Sequence, residues 1–329
     1  MPAKSRVKKL RVAVTGANGS IGRLALPRLL DNDQIDRVLA LDIAEPEVAH
    51  DKLHFAQVDL SRSNAVDELT RALKEAKIDS LVHLAFFSRP ARDLAFAHEV
   101  EAVGTGKLLA ACAAAKVGSL VMSSSTFVYG ASPNHPNFLT EDRPLVPHPQ
   151  SRFVADRIEA EQQVRAFRTS HPTLRSVVLR FAPILGPTVD TPVTRYLTSP
   201  VAPMALGHDP LVQCVHEDDV GEALVLSVLS KASGVFNVCG RGVLPLSTVL
   251  HLCGSRPLPL PLPLATASLK ALNTLGVTAT PTRLIDYLRY LWVADGQKAE
   301  RELHFRPRFS TREAVLSFAQ ARGRAGAAT

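Results

Sequence analysis

The chain has 329 residues, of which 46% are hydrophobic and 21% charged, enough to bury a sizeable core; this excludes a disordered or fibrous chain. Its four cysteines, Cys112, Cys214, Cys239 and Cys253, include no C-x-x-C pair, so metal clips and dithiol redox chemistry are excluded and reduced thiols in a cytoplasmic protein are expected. The net charge of +7 lies largely in the two tails, and with 5% aromatic residues and no basic–aromatic interleaving it argues against a nucleic-acid partner. No apolar run is long enough to span a membrane, and the basic stretch Met1–Leu10 runs into Arg11-Val12-Ala13-Val14 without the apolar region of a signal peptide.

Short apolar runs alternate with helical stretches through the first half. Strands are expected at Arg11–Thr15, Arg37–Asp42, Leu53–Asp59, Ser80–Ala85, Ser119–Ser124 and Ser176–Phe181. Amphipathic helices are expected at Ser20–Leu30, Ser63–Glu75, Arg92–Lys116 and Ser151–Ser170. This alternation predicts an α/β fold, a doubly wound parallel sheet with helices on both faces. After Phe181 six prolines between Pro183 and Pro210 break any long element. A helix at Asp218–Leu229 and a strand at Gly234–Val238 then return to the sheet. Alternating Pro and Leu over Arg256–Leu264 predicts an extended, polyproline-like connector, and Ala265–Phe318 reads as three or four helices of a smaller lobe.

Strand one ends in Thr15-Gly16-Ala17-Asn18-Gly19-Ser20-Ile21-Gly22, immediately before a helix. Gly16 permits a tight turn, Gly19 lets backbone approach a pyrophosphate, and Gly22 lets the helix pack on the strand. The phosphates would rest on the helix N-terminus at Asn18, Ser20 and Ile21, where unpaired N–H groups and the dipole favour anions. Asp42, at the end of strand two, can accept both ribose hydroxyls of NAD and repels the 2′-phosphate of NADP; no Arg follows it at positions 43 to 49. NAD is therefore the expected cofactor, preferred over NADP. Asp59-Leu60 and Leu84-Ala85 close strands three and four at the ligand-binding edge. Asp59 would either accept from an adenine amine or cap the next helix.

With these features the chain resembles the extended short-chain dehydrogenase/reductases, in their NAD-dependent epimerase/dehydratase branch, of which UDP-glucose 4-epimerase is the best-known member. The resemblance covers nearly the whole chain. It rests on Thr15–Gly22, His83-Leu84-Ala85, Val103-Gly104-Thr105, Met122–Gly130, Leu139–Leu145, Leu179-Arg180, Val215–Asp219, Phe236–Val238 and Asp295–Leu303. The glycine loop and the string Ser123-Ser124-Ser125-x-x-Val128-Tyr129-Gly130 are the most specific. The resemblance implies a Rossmann NAD-binding domain over residues 1–181, completed by 211–240. Residues 182–210 and 241–329 would form an α-rich substrate lobe. It also implies contact of Ser123 with the cofactor, and pairing of two copies through the two long helices as a homodimer.

In that family a Tyr and a Lys four residues later do the acid–base work, a Ser orients the substrate and an Asn completes a proton relay. Here the Ser is kept as Ser125, but the Tyr and Lys positions hold Phe153 and Arg157, and the Asn position holds Glu101. Phe153 has no proton to exchange; Arg157 keeps a positive charge in a different geometry and would still face the cofactor. No other tyrosine (Tyr129, Tyr196, Tyr287, Tyr290) has a Lys four residues on. Tyr129 is the candidate substitute acid, or else packs or contacts substrate. His83, His135 and His148 are further candidate proton carriers. The clamp that relatives use for a UDP-sugar is missing, with Val212 for its Arg and Pro183 for its Asn; Arg195, Arg241 or Arg289 would have to replace it. His216 and Asp219 match the family as structural residues. The leading expectation is an NAD-binding enzyme acting on a sugar-like or other hydroxylated small molecule with non-standard acid–base residues; the alternative is a non-catalytic NAD(H) sensor or regulatory protein.

Overall fold

The computed structural model describes residues 9–88, 93–146, 152–274 and 284–323. The N-terminal basic run through Lys8, the expected positions Arg92, His148 and Ser151, and the tail at Arg324 lie outside the described residues.

The first half runs β1 (Leu10–Thr15), α1 (Ser20–Leu30), β2 (Ile35–Asp42), β3 (Leu53–Gln57), α2 (Ala65–Glu75), β4 (Ser80–His83), α3 (Leu94–His98), a π-helical turn (Glu99–Val103), α4 (Gly104–Ala115), β5 (Ser119–Ser125), a 3-10 turn (Thr126–Tyr129), α5 (Arg152–Ser170) and β6 (Arg175–Phe181). The second half runs β7 (Ile184–Leu185), α6 (Pro192–Leu197), β8 (Val201–Ala205), β9 (Leu211–Val212), β10 (Val215–His216), α7 (Glu217–Leu229), β11 (Gly234–Val238), β12 (Leu244–Pro245), α8 (Leu246–Leu252), β13 (Arg256–Leu260), α9 (Leu262–Thr274), a 3-10 turn (Leu284–Leu288), α10 (Gln297–Glu302) and α11 (Thr311–Ala321).

Seven strands form one parallel sheet in the order β11-β6-β5-β4-β1-β2-β3. The strands are Val/Leu-rich because helices cover both faces, and β4 is buried at all four residues. On one face α1 sends Gly22, Ala25, Leu26, Leu29 and Leu30 into the core at helical spacing, against Val220, Ala223 and Leu224 of α7. On the other, α2, α4 and α5 pack Leu69, Leu73, Leu108, Leu109, Ala160 and Val164 over the sheet. The chain reverses across the sheet between β1 and β4. Their carboxyl ends open a crevice there, the position at which doubly wound sheets take ligands.

Two expectations are corrected. The single helix expected from Arg92 to Lys116 is interrupted by the π-helical turn Glu99–Val103, whose wider winding turns Glu101 and Ala102 into the interior. The Pro-Leu run is not one connector. Arg256–Leu260 pairs with β8 in parallel, with Leu258 opposite Pro203, while Leu262 onward is helix α9. Pro257 and Pro259 alternate with the residues that face β8, so their missing N–H groups cost no ladder bond, and Pro263 sits in the first turn of α9, where a helix tolerates it.

Beyond the main sheet, β8, α8 and α11 enclose a smaller core of Met204, Val249, Leu250, Val315 and Phe318.

Candidate functional site

The crevice has two halves. The first is built by the loop between β1 and α1. Gly16 has φ of +67°, and a Cβ there would lie 2.7 Å from the Ala85 backbone. A Cβ on Gly22 would stand 2.2 Å from the Gly16 carbonyl oxygen, so the loop and the first turn of α1 can only be this close with glycine. Gly19 is the N-cap of α1 and no side chain caps it, which leaves the first-turn N–H groups of Ser20 and Ile21 open to an anion.

Asp42 is fixed at the mouth of this half. One carboxylate oxygen accepts the Asn18 N–H at 2.9 Å and the other the Ile43 N–H at 2.7 Å, which leaves acceptor capacity on both. The Asn18 amide ties the same corner to the Ala44 carbonyl at 2.6 Å. Asp59 closes β3's end of the wall; it accepts the Ser61 hydroxyl at 2.6 Å and N–H at 2.9 Å, and the hydroxyl bond holds its carboxyl below the ordinary range. It thus organises its own turn while lining the crevice with Leu60, Leu84 and Ala85.

The second half lies at the ends of β5 and β6. Ser123 reaches the His83 carbonyl at 3.4 Å, and Ser124 donates to Glu161 at 2.5 Å. Ser125 accepts the Phe127 N–H at 3.3 Å and donates to the Phe181 carbonyl at 3.4 Å, two long bonds that leave its hydroxyl available. Phe153 and Arg157 stand across from it on α5, with Phe86, Phe127, Ile184 and Val193 making the wall apolar. The guanidinium carbon of Arg157 is 4.4 Å from the Phe153 ring centroid and 5.3 Å from that of Phe86. Arg157 is only 8% exposed. Its Nη2 donates to the Phe87 carbonyl at 2.6 Å, and its Nη1 is buried without a partner. Glu101 is buried too, and accepts the Phe87 N–H at 2.6 Å. Burial pushes the Glu101 carboxyl up, and the charge of Arg157 opposes this; burial pushes Arg157 down, and Glu101 and Asp156 oppose that.

The structure therefore gathers Ser123, Ser125, Phe153 and Arg157 around one half of the crevice, with Glu101 buried behind Arg157. It does not bring Tyr129 there. The Tyr129 side chain is 1% exposed; its hydroxyl donates to Asn237 Oδ1 at 2.7 Å and accepts from Arg180 at 2.8 Å, and burial pushes it up to about 12. The substitute-acid expectation for Tyr129 is corrected on this ground: its hydroxyl is used up inside a network with Arg180 and Glu161, and it is not on the crevice wall.

Nor do the described candidate histidines, His83 and His135, enter. His83 is clamped between the Thr15 hydroxyl at 2.7 Å and the Thr105 hydroxyl at 3.0 Å, and burial holds its imidazole down at about 3. His135 bonds the Leu291 carbonyl at 3.1 Å. His216 caps α7 and meets Ser317 at 3.0 Å, and Asp219 accepts the backbone N–H groups of Arg308 and Phe309. Arg195 pairs with Asp190, Arg289 with Asp286 and the Tyr290 ring, and Arg241 bridges Ser310 through its backbone. None of the three lines the crevice. Phe86 and Phe87, which the sequence reading did not single out, do; the one signal for them was their place directly after the strand-four motif.

A seven-stranded doubly wound sheet with a glycine loop on its first helix and an acid at the end of its second strand defines a Rossmann-type dinucleotide-binding fold. The chain belongs to the NAD-dependent epimerase/dehydratase family, whose profile matches residues 12–239. An uncharacterized protein of Mycobacterium tuberculosis is 31% identical over 319 residues, spanning 95% of this chain and 84% of that one. The UDP-glucose 4-epimerase of Azospirillum brasilense is 26% identical over 262 residues, spanning 70% and 73%. Among solved structures, the Thermus thermophilus UDP-glucose 4-epimerase in complex with NAD superposes with a TM-score of 0.72 at 22% identity, covering 95% of this chain and 99% of that one. The dTDP-glucose 4,6-dehydratase of Bacillus anthracis, in complex with NAD, gives 0.71 at 16% identity, covering 95% and 96%.

Proposed function

We propose that this chain binds NAD(H) and does not run the family's side-chain proton transfer, and so acts as a binding or sensing member of the family. One observation carries the reading: among the described residues that line the reaction half of the crevice, Arg157 is the only ionisable side chain. The residues present fit the dinucleotide. The Gly16–Gly22 loop and the uncapped start of α1 would take the pyrophosphate and Asp42 the adenosine ribose, and the Arg157 guanidinium would set a positive charge beside the nicotinamide end. The two-oxygen presentation of Asp42 supports NAD over NADP, because a 2′-phosphate would meet a carboxylate. The chemistry a bound dinucleotide supplies is hydride exchange at its nicotinamide ring. Removing a hydride from an alcohol also requires a group that takes the hydroxyl proton. Phe153 cannot, and Arg157 stays protonated.

A second reading is favoured by Ser125, whose hydroxyl is on the wall with only long bonds. In it the protein is an enzyme for a hydroxylated small molecule, a nucleotide sugar included, with Ser125 orienting the substrate and the proton leaving to solvent. Protein stripped of nucleotide and titrated with NAD, NADH and NADP tests the first reading: binding of NAD(H), weak NADP and no change in nicotinamide absorbance with any hydroxylated substrate are expected. Failure to bind either form of NAD overturns both readings, and reduction of bound NAD by a substrate overturns the first in favour of the second.

A further inference from the structure

The reworked half of the crevice holds the buried Arg157 and two buried carboxyl groups, Glu101 and Asp156, and of these Arg157 and Glu101 meet through Phe87 rather than directly. Arg157 holds the Phe87 carbonyl and Glu101 the Phe87 N–H, both at 2.6 Å. The π-helical turn that carries Glu101 is what turns it inward. Stacking against Phe153 and Phe86 fixes the plane of the guanidinium. Nη2 is committed to Phe87 and Nη1 is buried, so Arg157 acts on this wall through its charge, and among the described residues that line it no other side chain is ionisable.

A permanent cation beside the reaction half of the crevice is not neutral toward the two forms of the dinucleotide. The nicotinamide ring is cationic when oxidised and uncharged when reduced. A lone guanidinium would therefore favour NADH. A buried carboxylate behind it, poorly screened by solvent, offsets that bias.

We infer that Glu101 is a positioning and charge-balancing residue that sets the relative affinity of this site for NAD and NADH, acting through Arg157 and Phe87. The inference rests on the dinucleotide reading above and gives it a means of distinguishing oxidised from reduced cofactor, the property a sensor needs.

The test measures dissociation constants for NAD and NADH on the stripped full-length protein, alongside thermal unfolding. In Glu101→Gln the amide oxygen can still accept the Phe87 N–H, so the loop stays tied while the charge goes. The ratio of the NAD to the NADH dissociation constant should then rise about tenfold, the size of effect one unit charge has in a partly desolvated site. Arg157→Gln should move the ratio the opposite way, and the double variant should return it toward the wild-type value. A structural role for Glu101 would weaken both nucleotides equally and leave the ratio alone; a ratio within twofold of wild type in folded Glu101→Gln overturns the inference. Should that variant not fold, Arg157→Gln decides by itself: no shift toward NAD overturns the inference. Absence of binding of either nucleotide to the wild type is a different failure, that of the dinucleotide reading.

Discussion

The two halves of the crevice are built from the same sheet edge but follow different rules. The half at Gly16–Gly22 and Asp42 is assembled from backbone groups and one carboxylate, with glycines where any Cβ would collide. The half at Ser125 and Arg157 is assembled from side chains, and there three of the four positions that the resemblance implies for the chemistry hold other residues, Glu101, Phe153 and Arg157. A site whose geometry is carried by the main chain tolerates few substitutions without losing shape. A site carried by side chains can lose its chemistry while keeping its cavity, as the apolar wall around Arg157 does. On the function proposed above, that difference is what would separate binding from catalysis within one crevice.

That separation can be broken most severely at Gly22. Replacing it with Val would place Cβ 2.2 Å from the Gly16 carbonyl oxygen, and dinucleotide affinity should fall by about a hundredfold or more in a titration of the purified variant. Binding that survives unchanged would show that the loop is not where the anion sits. On the other side, the double variant Phe153→Tyr with Arg157→Lys restores the family's acid–base pair. On the second reading, in which the wild type already turns over slowly, it should raise turnover about a hundredfold on a competent substrate, read as NADH formation, since a placed general acid–base typically contributes about 10²–10⁴; on the first it should create a turnover the wild type lacks. No gain across a nucleotide-sugar panel would mean that the substrate side has diverged along with the proton carrier. Asp42→Ala should weaken NAD about tenfold while leaving NADP little changed, which narrows the ratio between the two. The smallest effect on the crevice is expected from Tyr129→Phe. It deprives Arg180 and Asn237 of a partner and should lower stability by about 1–3 kcal/mol in a denaturant titration, with NAD affinity unaltered.

The sheet was legible because its signals are local. The runs at Ser20–Leu30 and Gly234–Val238 have the same bounds in the structure as in the sequence reading, and β2 differs only by an earlier start at Ile35. The backbone half of the crevice was legible for the same reason: glycine spacing and an acid at a strand end are written consecutively. The break in the helix after His98 was not. The turn's contacts lie far along the chain: Glu101 accepts from the Phe87 N–H 14 residues away, and the Ala102 carbonyl accepts from the Gln163 amide 61 residues away. The replacement of Asn by Glu and of Lys by Arg was visible as two isolated departures. Only in space do they become one arrangement around a single peptide unit. Tyr129 shows what a motif leaves open: its string allows either a substitute acid or a packing residue, and the choice for packing is made by Arg180, 51 residues along the chain, which holds its hydroxyl.

The prolines of β13 have one more consequence. Arg256 donates its N–H toward β8, and the alternation that puts Leu258 and Leu260 on the same side turns Pro257 and Pro259 outward. The outer margin of this two-stranded sheet therefore presents carbonyl oxygens and no amide hydrogens between Pro257 and Pro259. A further strand arriving at that margin would find acceptors without donors and could not continue the ladder. With Leu258 exposed beside it, this is a margin at which strand-by-strand aggregation would otherwise begin, and the prolines on either side of Leu258 terminate it.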